Sequence, residues 1–272
     1  MRMRVITAVI GIVAILLLVW AGNWLFTAAC LTMGLLAYRE YYQMIKNAGI
    51  TLYDTYSYLA VFCIIISANF HSVPLFYAIT SGCFIALFLV TLRAGYEDMQ
   101  SLFYTVIGSL YIGIGVGSLV LLRGVSGLIP QNLVSIHSGI FLILFAFIST
   151  WASDSFAYLV GSRWGRTSLA PQISPNKTVE GSLGGIVSAV LVTFIFMLFD
   201  KNVAAPHHLP IMLLFAVFFS IAGQFGDLVE SAIKRHFGVK DSGKFIPGHG
   251  GVLDRFDSML FVFPLMHFFG LF

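Results

Sequence analysis

Charged residues are scarce in this sequence. Of its 272 residues, 10% are Asp, Glu, Lys or Arg and 58% are hydrophobic, and the mean hydropathy is +0.92. A soluble domain carries about 25% charged residues, enough to cover its surface. The shortage of charge therefore excludes an ordinary soluble globule and a disordered chain. It predicts a polytopic membrane protein.

Cysteine is also rare. Cys30, Cys63 and Cys83 each lie within an apolar run, and none has the C-x-x-C spacing of a metal or redox site. We interpret them as small buried hydrophobic residues, which excludes a secreted disulfide scaffold. The net charge of +3 comes from clusters at the ends of the apolar runs. It therefore gives no indication of a nucleic acid partner.

The long apolar runs predict about nine transmembrane helices, since a spanning helix needs about 20 mostly apolar residues. Breaks at Gly22-Asn23 and between Asn69 and Pro74 divide two runs that are too long for one helix. The predicted spans are 5–21, 23–38, 56–70, 74–92, 102–122, 138–160, 182–199, 209–228 and 257–272.

Lys and Arg residues predict the orientation of these spans. With the N-terminus inside, thirteen of them fall on the cytoplasmic side and two on the other side, as the positive-inside rule requires. We therefore predict an all-α polytopic membrane protein with a cytoplasmic N-terminus and a C-terminus on the opposite side.

The distribution of charge predicts two regions. Residues 1–153 hold ten charged side chains, whereas residues 154–257 hold seventeen. We expect an N-terminal transmembrane scaffold of about five helices at 1–137 and a catalytic region of about four helices at 138–272. The catalytic region includes two cytoplasmic loops, 161–181 and 229–256.

The segment 224–235 has the most polar predicted helix face. Four of its residues are spaced i, i+3, i+4 and i+7, which places them on one face: Asp227, Glu230, Ser231 and Lys234. An aspartate within a span costs about 2.5–3.5 kcal/mol on insertion scales, so it usually faces protein and has a function. A salt-bridge ladder at the helix end is the alternative interpretation.

The following loop, 240–258, combines glycines, bases and carboxylates. Glycines at 248, 250 and 251 let backbone N–H groups approach an anion closely. Asp254 and Asp257 offer oxygen ligands for a hard cation such as Mg²⁺. The bases that would neutralise a polyphosphate are Lys240, Lys244 and Arg255. Together they predict a magnesium–phosphate site, with His249 as a further candidate contact.

Two upstream segments add candidates. Asp154 lies about one turn inside the cytoplasmic end of the sixth span. In the next loop, Lys177 is a candidate phosphate ligand, and Thr178 is a candidate cap for a helix that begins near Glu180. Capping alone would also explain this loop.

Residues 231–257 resemble the signature of the phosphatidate cytidylyltransferases, also called CDP-diacylglycerol synthases. That pattern is S-x-I-K-R, four residues, K-D-x-G, two residues, I-P-x-H-G-G-V-x-D-R-F-D, and this sequence meets every defined position. The segments Asp154 to Gly161 and Ser174 to Gly181 are also similar to that family. The signature residues are Ser231, Ile233, Lys234, Arg235, Lys240, Asp241, Gly243, Ile246, Pro247, His249, Gly250, Gly251, Val252, Asp254, Arg255, Phe256 and Asp257.

The resemblance implies an integral enzyme of the bacterial inner membrane, a homodimer, with its active site on the cytoplasmic side. It implies that phosphatidate and CTP react to give CDP-diacylglycerol and pyrophosphate for phospholipid biosynthesis. It also implies Mg²⁺ held by Asp227 and Asp254, with Asp257 as a third contributor. A second, monovalent ion is left open.

The remaining site residues follow from a mechanistic hypothesis. The phosphate of phosphatidate is already an anion, so it can attack the α-phosphorus of CTP without a general base, and catalysis is mostly charge neutralisation and positioning. Lys234 and Arg235 join the three aspartates as catalytic residues. The predicted substrate-binding residues are Asp154, Lys177, Glu180, Ser231, Lys240, Asp241, Lys244, His249, Gly250, Gly251 and Arg255.

Three alternatives stay open at this point. A CTP-dependent lipid kinase would transfer the γ-phosphate, and a related enzyme would act on an ether-linked isoprenoid acid. A transporter would use Asp154 and Asp227 to line an ion path. Transport is disfavoured because the charges gather in one cytoplasmic loop and no inverted repeat is evident.

Overall fold

The computed structural model describes residues 2–94, 99–124, 138–198, 209–245 and 250–268. Within these ranges the chain is mostly helical, with ten helices and two short strands. The helices are α1 (Arg2–Ala21), α2 (Asn23–Asn47), α3 (Asp54–Ala68), α4 (Val73–Ala94), α5 (Met99–Arg123), α6 (Ser138–Trp164), α7 (Val179–Leu198), α8 (Leu209–His236), α9 (Leu253–Phe256) and α10 (Met259–Phe268). The strands are β1 (Ser168–Ala170) and β2 (Ser174–Thr178).

Five of the described helices are long and apolar enough to cross a membrane. They cover Val73–Val90, Met99–Arg123, Gly139–Trp164, Val179–Leu198 and Leu209–His236. Large apolar side chains such as Leu89, Leu183 and Phe225 are more than half exposed, and lipid would cover such a surface. The prediction of a mostly helical membrane protein is confirmed at this level. The count of nine spans and the orientation of the termini stay predictions.

Both predicted breaks in the apolar runs are confirmed. Helix α1 ends at Ala21 and α2 begins at Asn23, and Gly22 between them has φ +63°. Glycine adopts this left-handed conformation without the steric cost that a Cβ would add. Helix α3 ends at Ala68, and α4 begins at Val73.

One feature departs from the all-α expectation. Strands β1 and β2 form a two-stranded antiparallel sheet in the loop between α6 and α7, with Ser168 opposite Thr178 and Ala170 opposite Ser174. Strand β1 has only three residues and β2 is polar, so the sequence lacks the alternation of apolar residues that predicts a strand. The hairpin holds Lys177 on β2.

The chain divides into two compact units. The first unit comprises Met1–Gly124 and His236–Phe256. Its core contains Tyr38, Tyr41, Ile64 and Ile112, all at most 1% exposed. The sequence predicted a boundary near residue 137 from the distribution of charged residues. In the structure, residues 236–256 belong instead to the same compact unit as the N-terminal helices.

The second unit comprises Val125–Arg235 and Asp257–Phe272. Phe145, Phe219 and Phe263 are buried in its core. Helices α6 and α7 approach closely at Gly185, where an added Cβ would lie 2.8 Å from the carbonyl oxygen of Ser153. This close packing fixes the ends of both helices around the cavity described next.

Candidate active site

A cavity of about 640 Å³ lies within the second unit. This volume falls in the range of about 300–1,000 Å³ that is usual for small-molecule sites. Parts of α6, β2, α7 and α8 line it, and their polar side chains include Asp154, Lys177, Ser182, Gln224 and Asp227. Three predicted site residues, Asp154, Lys177 and Asp227, therefore share one cavity.

Lys177 and Asp227 form an ion pair in the cavity wall. The distance from Lys177 Nζ to Asp227 Oδ2 is 2.6 Å, and the two side chains are 27% and 33% exposed. Asp227 Oδ1 accepts a hydrogen bond of 3.3 Å from the Ser231 hydroxyl, one turn further along α8. Both side chains are partly exposed, but the Lys177 Nζ atom itself is buried against the carboxylate. The cavity wall therefore holds one positive and one negative group in direct contact.

The hairpin and the start of α7 hold Lys177 in place. The Thr178 hydroxyl accepts a 3.1 Å hydrogen bond from the N–H of Gly181, which confirms the predicted cap of α7. The Glu180 carboxylate accepts hydrogen bonds from the N–H groups of Arg166 and Thr167 at 3.0 and 3.2 Å. In the structure Glu180 thus orders the backbone of the loop, and its predicted contact with substrate stays a prediction.

Gln224 is the centre of a polar network beside the cavity that sequence reasoning missed. Its Oε1 accepts a hydrogen bond from the Ser182 hydroxyl, and its Nε2 donates to Ser220 Oγ at 3.2 Å and to Ser153 Oγ at 3.4 Å. The hydroxyls of Ser153 and Ser220 are 2.7 Å apart. The network joins α6, α7 and α8 one turn from Asp227. The sequence feature that could have indicated this role is the position of Gln224, three residues before Asp227 on the same helix.

Lys234 is paired in the structure. It forms an ion pair with Glu230, one turn earlier on α8, and the Glu230 side chain is fully buried. This contact matches the salt-bridge interpretation that the i, i+4 spacing left open. The predicted role of Lys234 and the neighbouring exposed Arg235 in neutralising phosphate stays a prediction.

Asp257, the third predicted metal-binding aspartate, lies in the turn between α9 and α10. It lies within electrostatic range of Asp227, Asp154 and Lys234 in the second unit. Among the described residues, no group of three or more His, Cys, Asp or Glu side chains has the arrangement of a metal site. Mg²⁺, however, is commonly bound by one or two carboxylates together with substrate phosphates. Asp154 and Asp227, which both line the cavity, fit that pattern.

Asp254 lies in the first unit and is 8% exposed. Its Oδ2 accepts hydrogen bonds from the N–H groups of Ser242 and Gly251 at 2.9 and 2.8 Å. Gly250 has φ +85°, and a Cβ there would lie 2.6 Å from Asp254 Oδ2. The N–H of Gly251, which the glycine pattern offered to a phosphate, therefore has a protein acceptor.

The other predicted residues of this loop differ in exposure. Lys240, Asp241, Lys244 and Arg255 are exposed in the first unit. Residues 246–249 lie outside the described residues, so the predictions for Gly248 and His249 do as well. Sequence reasoning missed Glu40 of α2, whose carboxylate accepts hydrogen bonds from this same loop.

Comparison with known proteins adds an independent line of information. Residues 2–272 match the Cytidylyltransferase family. A phosphatidate cytidylyltransferase of Bacillus subtilis (strain 168) is 36% identical, with 98% of this chain and 97% of that protein covered. Phosphatidate cytidylyltransferases of Staphylococcus saprophyticus and Staphylococcus aureus (strain COL) are 33% and 34% identical, with 98% of each chain covered.

Proposed function

This chain belongs to the cytidylyltransferase family, and on that premise we propose that it transfers the cytidylyl group of CTP to phosphatidate. The products are CDP-diacylglycerol and pyrophosphate. The similar bacterial proteins carry the name of this activity. The observation that carries the proposal is the cavity at the ends of apolar helices where Lys177 and Asp227 meet. Such a place suits a substrate with a charged head and apolar chains.

The reaction forms a bond from an oxygen of the lipid phosphate to the α-phosphorus of CTP. The bond between the α-phosphorus and the oxygen that bridges to the β-phosphorus breaks, and pyrophosphate leaves with that electron pair. No proton has to be removed from the attacking phosphate, because it is an anion at neutral pH. The obstacle is repulsion between two anions, so the protein has to supply positive charge and alignment.

Lys177 supplies positive charge in the cavity. Its ammonium is 2.6 Å from Asp227 Oδ2 in the structure, and an arriving phosphate would compete with that carboxylate for it. Lysine suits this exchange, because its flexible stem carries three rotatable N–H donors. We assign Lys177 to a substrate phosphate, and the Gln224 network keeps α6, α7 and α8 in register around it.

A divalent cation fits the carboxylates of Asp154 and Asp227, which line the cavity. Asp227 would hold it, with Asp154 and Asp257 within electrostatic range. When bound, Mg²⁺ would neutralise the triphosphate and stabilise the pyrophosphate leaving group. The ligand role of Asp254 and the presence of a monovalent ion stay predictions.

The membrane arrangement belongs to the same proposal. The acyl chains of phosphatidate remain in the bilayer, and the loops that carry Lys177 and Asp254 face the cytoplasm, where CTP is. This orientation rests on the distribution of Lys and Arg. The homodimer, the roles of Ser231, Lys234 and Arg235, and those of the loop residues Lys240 to Arg255 rest on the resemblance.

The test uses purified full-length protein in detergent with phosphatidate and Mg²⁺. CTP is labelled at the α-phosphate in one reaction and at the γ-phosphate in another. We expect the α-label to enter the lipid fraction and the γ-label to leave as pyrophosphate. A γ-label in the lipid would instead identify a lipid kinase, and an absence of both labels from the lipid would reject the proposed substrate pair. Reactions without phosphatidate are the control.

A further inference from the structure

Glu40 binds a segment of chain that lies more than two hundred residues away in sequence. It belongs to α2, and its carboxylate accepts three hydrogen bonds from residues in the described parts of this segment, 242–245 and 250–253. Oε1 accepts from the N–H of Val252 at 2.9 Å. Oε2 accepts from the N–H of Leu253 at 2.9 Å and from the Ser242 hydroxyl at 3.0 Å. Hydrogen bonds to an ionised acceptor are stronger than those between neutral groups.

Two glycines make room for this carboxylate. A Cβ at Gly243 or at Gly251 would collide with the side chain of Glu40. Both glycines are defined positions of the signature in residues 231–257. Their small size is therefore explained by the approach of Glu40, without any ligand. The segment and Glu40 are built to fit one another.

Asp254 completes the arrangement from the other side. Its carboxylate accepts hydrogen bonds from the N–H groups of Ser242 and Gly251. The Glu40 carboxylate accepts hydrogen bonds from the N–H groups of Val252 and Leu253. The three consecutive N–H groups 251–253 therefore point to two carboxylates. This fixes the backbone at the start of α9, from which the side chains of Asp254 and Arg255 project.

We infer that Glu40 is a positioning residue of the proposed reaction, acting through the described residues 242–245 and 250–253. It holds the backbone that orients Asp254 and Arg255, and it does not itself touch substrate. This inference rests on the proposed function, because Asp254 and Arg255 are predicted to take part in that reaction. The other role that this partly buried contact could have is stability alone, and the two roles differ in measurable ways.

The variant Glu40→Gln keeps the size of the side chain but places an amide group among three donors. We expect kcat to fall about 10- to 100-fold, the range that a displaced catalytic group produces. The KM values for CTP and phosphatidate should change little, because a loss confined to the transition state lowers kcat and kcat/KM together. The matched control is Asp54→Asn, since Asp54 also accepts a backbone N–H but lies at the exposed start of α3.

Hydrogen exchange of the full-length protein in detergent gives a readout that needs no activity. Peptides that cover Gly251 to Leu253 should exchange about tenfold faster in Glu40→Gln than in the wild type, as the loss of about one hydrogen bond predicts. Peptides from α6 to α8 should be unchanged. Ser242→Ala, which removes only the hydroxyl donor, should show a smaller change in the same peptides and serves if Glu40→Gln folds poorly.

The two readouts together decide the outcome. Faster exchange at 251–253 with a lower kcat per folded molecule supports the inference. Exchange like that of the wild type, or a kcat equal to that of Asp54→Asn, overturns it. If the wild type makes no CDP-diacylglycerol, the proposed function fails, and exchange alone then supports or overturns the contact between Glu40 and the segment.

Discussion

Asp227 has a partner on each of its carboxylate oxygens. Lys177 Nζ lies 2.6 Å from Oδ2, and the Ser231 hydroxyl donates to Oδ1 at 3.3 Å. The ion pair is about one third exposed, and such pairs contribute only about 0–1 kcal/mol to stability. The position of Asp227 in the cavity wall is therefore better explained by chemistry than by stability.

The variant Asp227→Asn tests this role. It keeps the shape of the side chain but removes the charge that would hold a divalent cation and balance Lys177. We expect kcat to fall at least about 100-fold, as for the loss of one group that stabilises charge in the transition state. The thermal midpoint should stay close to that of the wild type. Initial rates with phosphatidate and CTP, and a melting curve on the same sample, measure both.

Asp54→Asn is the control for the change from carboxylate to amide, because Asp54 is exposed and lies in the first unit. Turnover by Asp227→Asn within a few-fold of this control would remove Asp227 from the chemistry. A large fall in the melting midpoint would instead show that the carboxylate is structural.

At the scale of elements, the close approach of α6 and α7 positions the hairpin that carries Lys177. A Cβ at Gly181 would lie 2.6 Å from the carbonyl oxygen of Ala157 and 2.9 Å from the Thr178 hydroxyl. The carbonyl oxygen of Ala157 belongs to the backbone of α6, so it cannot move aside as the end of a flexible side chain can. An added methyl group at this position therefore has to separate the two helices or displace the cap at Thr178.

Gly181→Ala should lower the thermal midpoint. Overpacking costs roughly 1–3 kcal/mol, and each kcal/mol shifts the midpoint by about 2–4 °C in a protein of this size. Gly82→Ala in α4 is the matched control, since a Cβ there has no neighbour within 4 Å. Equal midpoints for the two variants, measured by thermal unfolding in detergent, would contradict the close packing of α6 and α7.

The sequence predicted the elements where local chemistry decides them. Gly22 marks the break between α1 and α2, Thr178 caps α7, and the spacing of Glu230 and Lys234 anticipates their ion pair. The hairpin was missed because β1 has only three residues and β2 is polar. The pattern of apolar residues does not reveal strands that bury little apolar surface.

At the scale of the whole chain, what the sequence could not reveal depends on distant contacts. Glu40 lies in a helix predicted as scaffold, and nothing near it in sequence indicates that its partners are Ser242, Val252 and Leu253. The Gln224 network is similar, since three helices contribute to it. A single sequence does not show which distant residues are in contact, whereas the folded structure does.

The orientation in the membrane is testable with single cysteines. In a chain whose three native cysteines are replaced by alanine, Gln172→Cys lies in the hairpin turn and Ser72→Cys between α3 and α4. We expect a membrane-impermeant maleimide to label Ser72→Cys in intact cells, and Gln172→Cys only after permeabilisation. Labelling of Gln172→Cys in intact cells would reverse the predicted orientation.

The most direct test of cytidylyl transfer follows the oxygens of the lipid phosphate. Phosphatidate carrying oxygen-18 in its non-ester phosphate oxygens is incubated with unlabelled CTP, and both products are analysed by mass spectrometry. If the lipid phosphate attacks the α-phosphorus, CDP-diacylglycerol keeps all of the heavy oxygen and pyrophosphate contains none. Heavy oxygen in pyrophosphate, or a lipid product that lacks cytidine, would contradict cytidylyl transfer from CTP to phosphatidate.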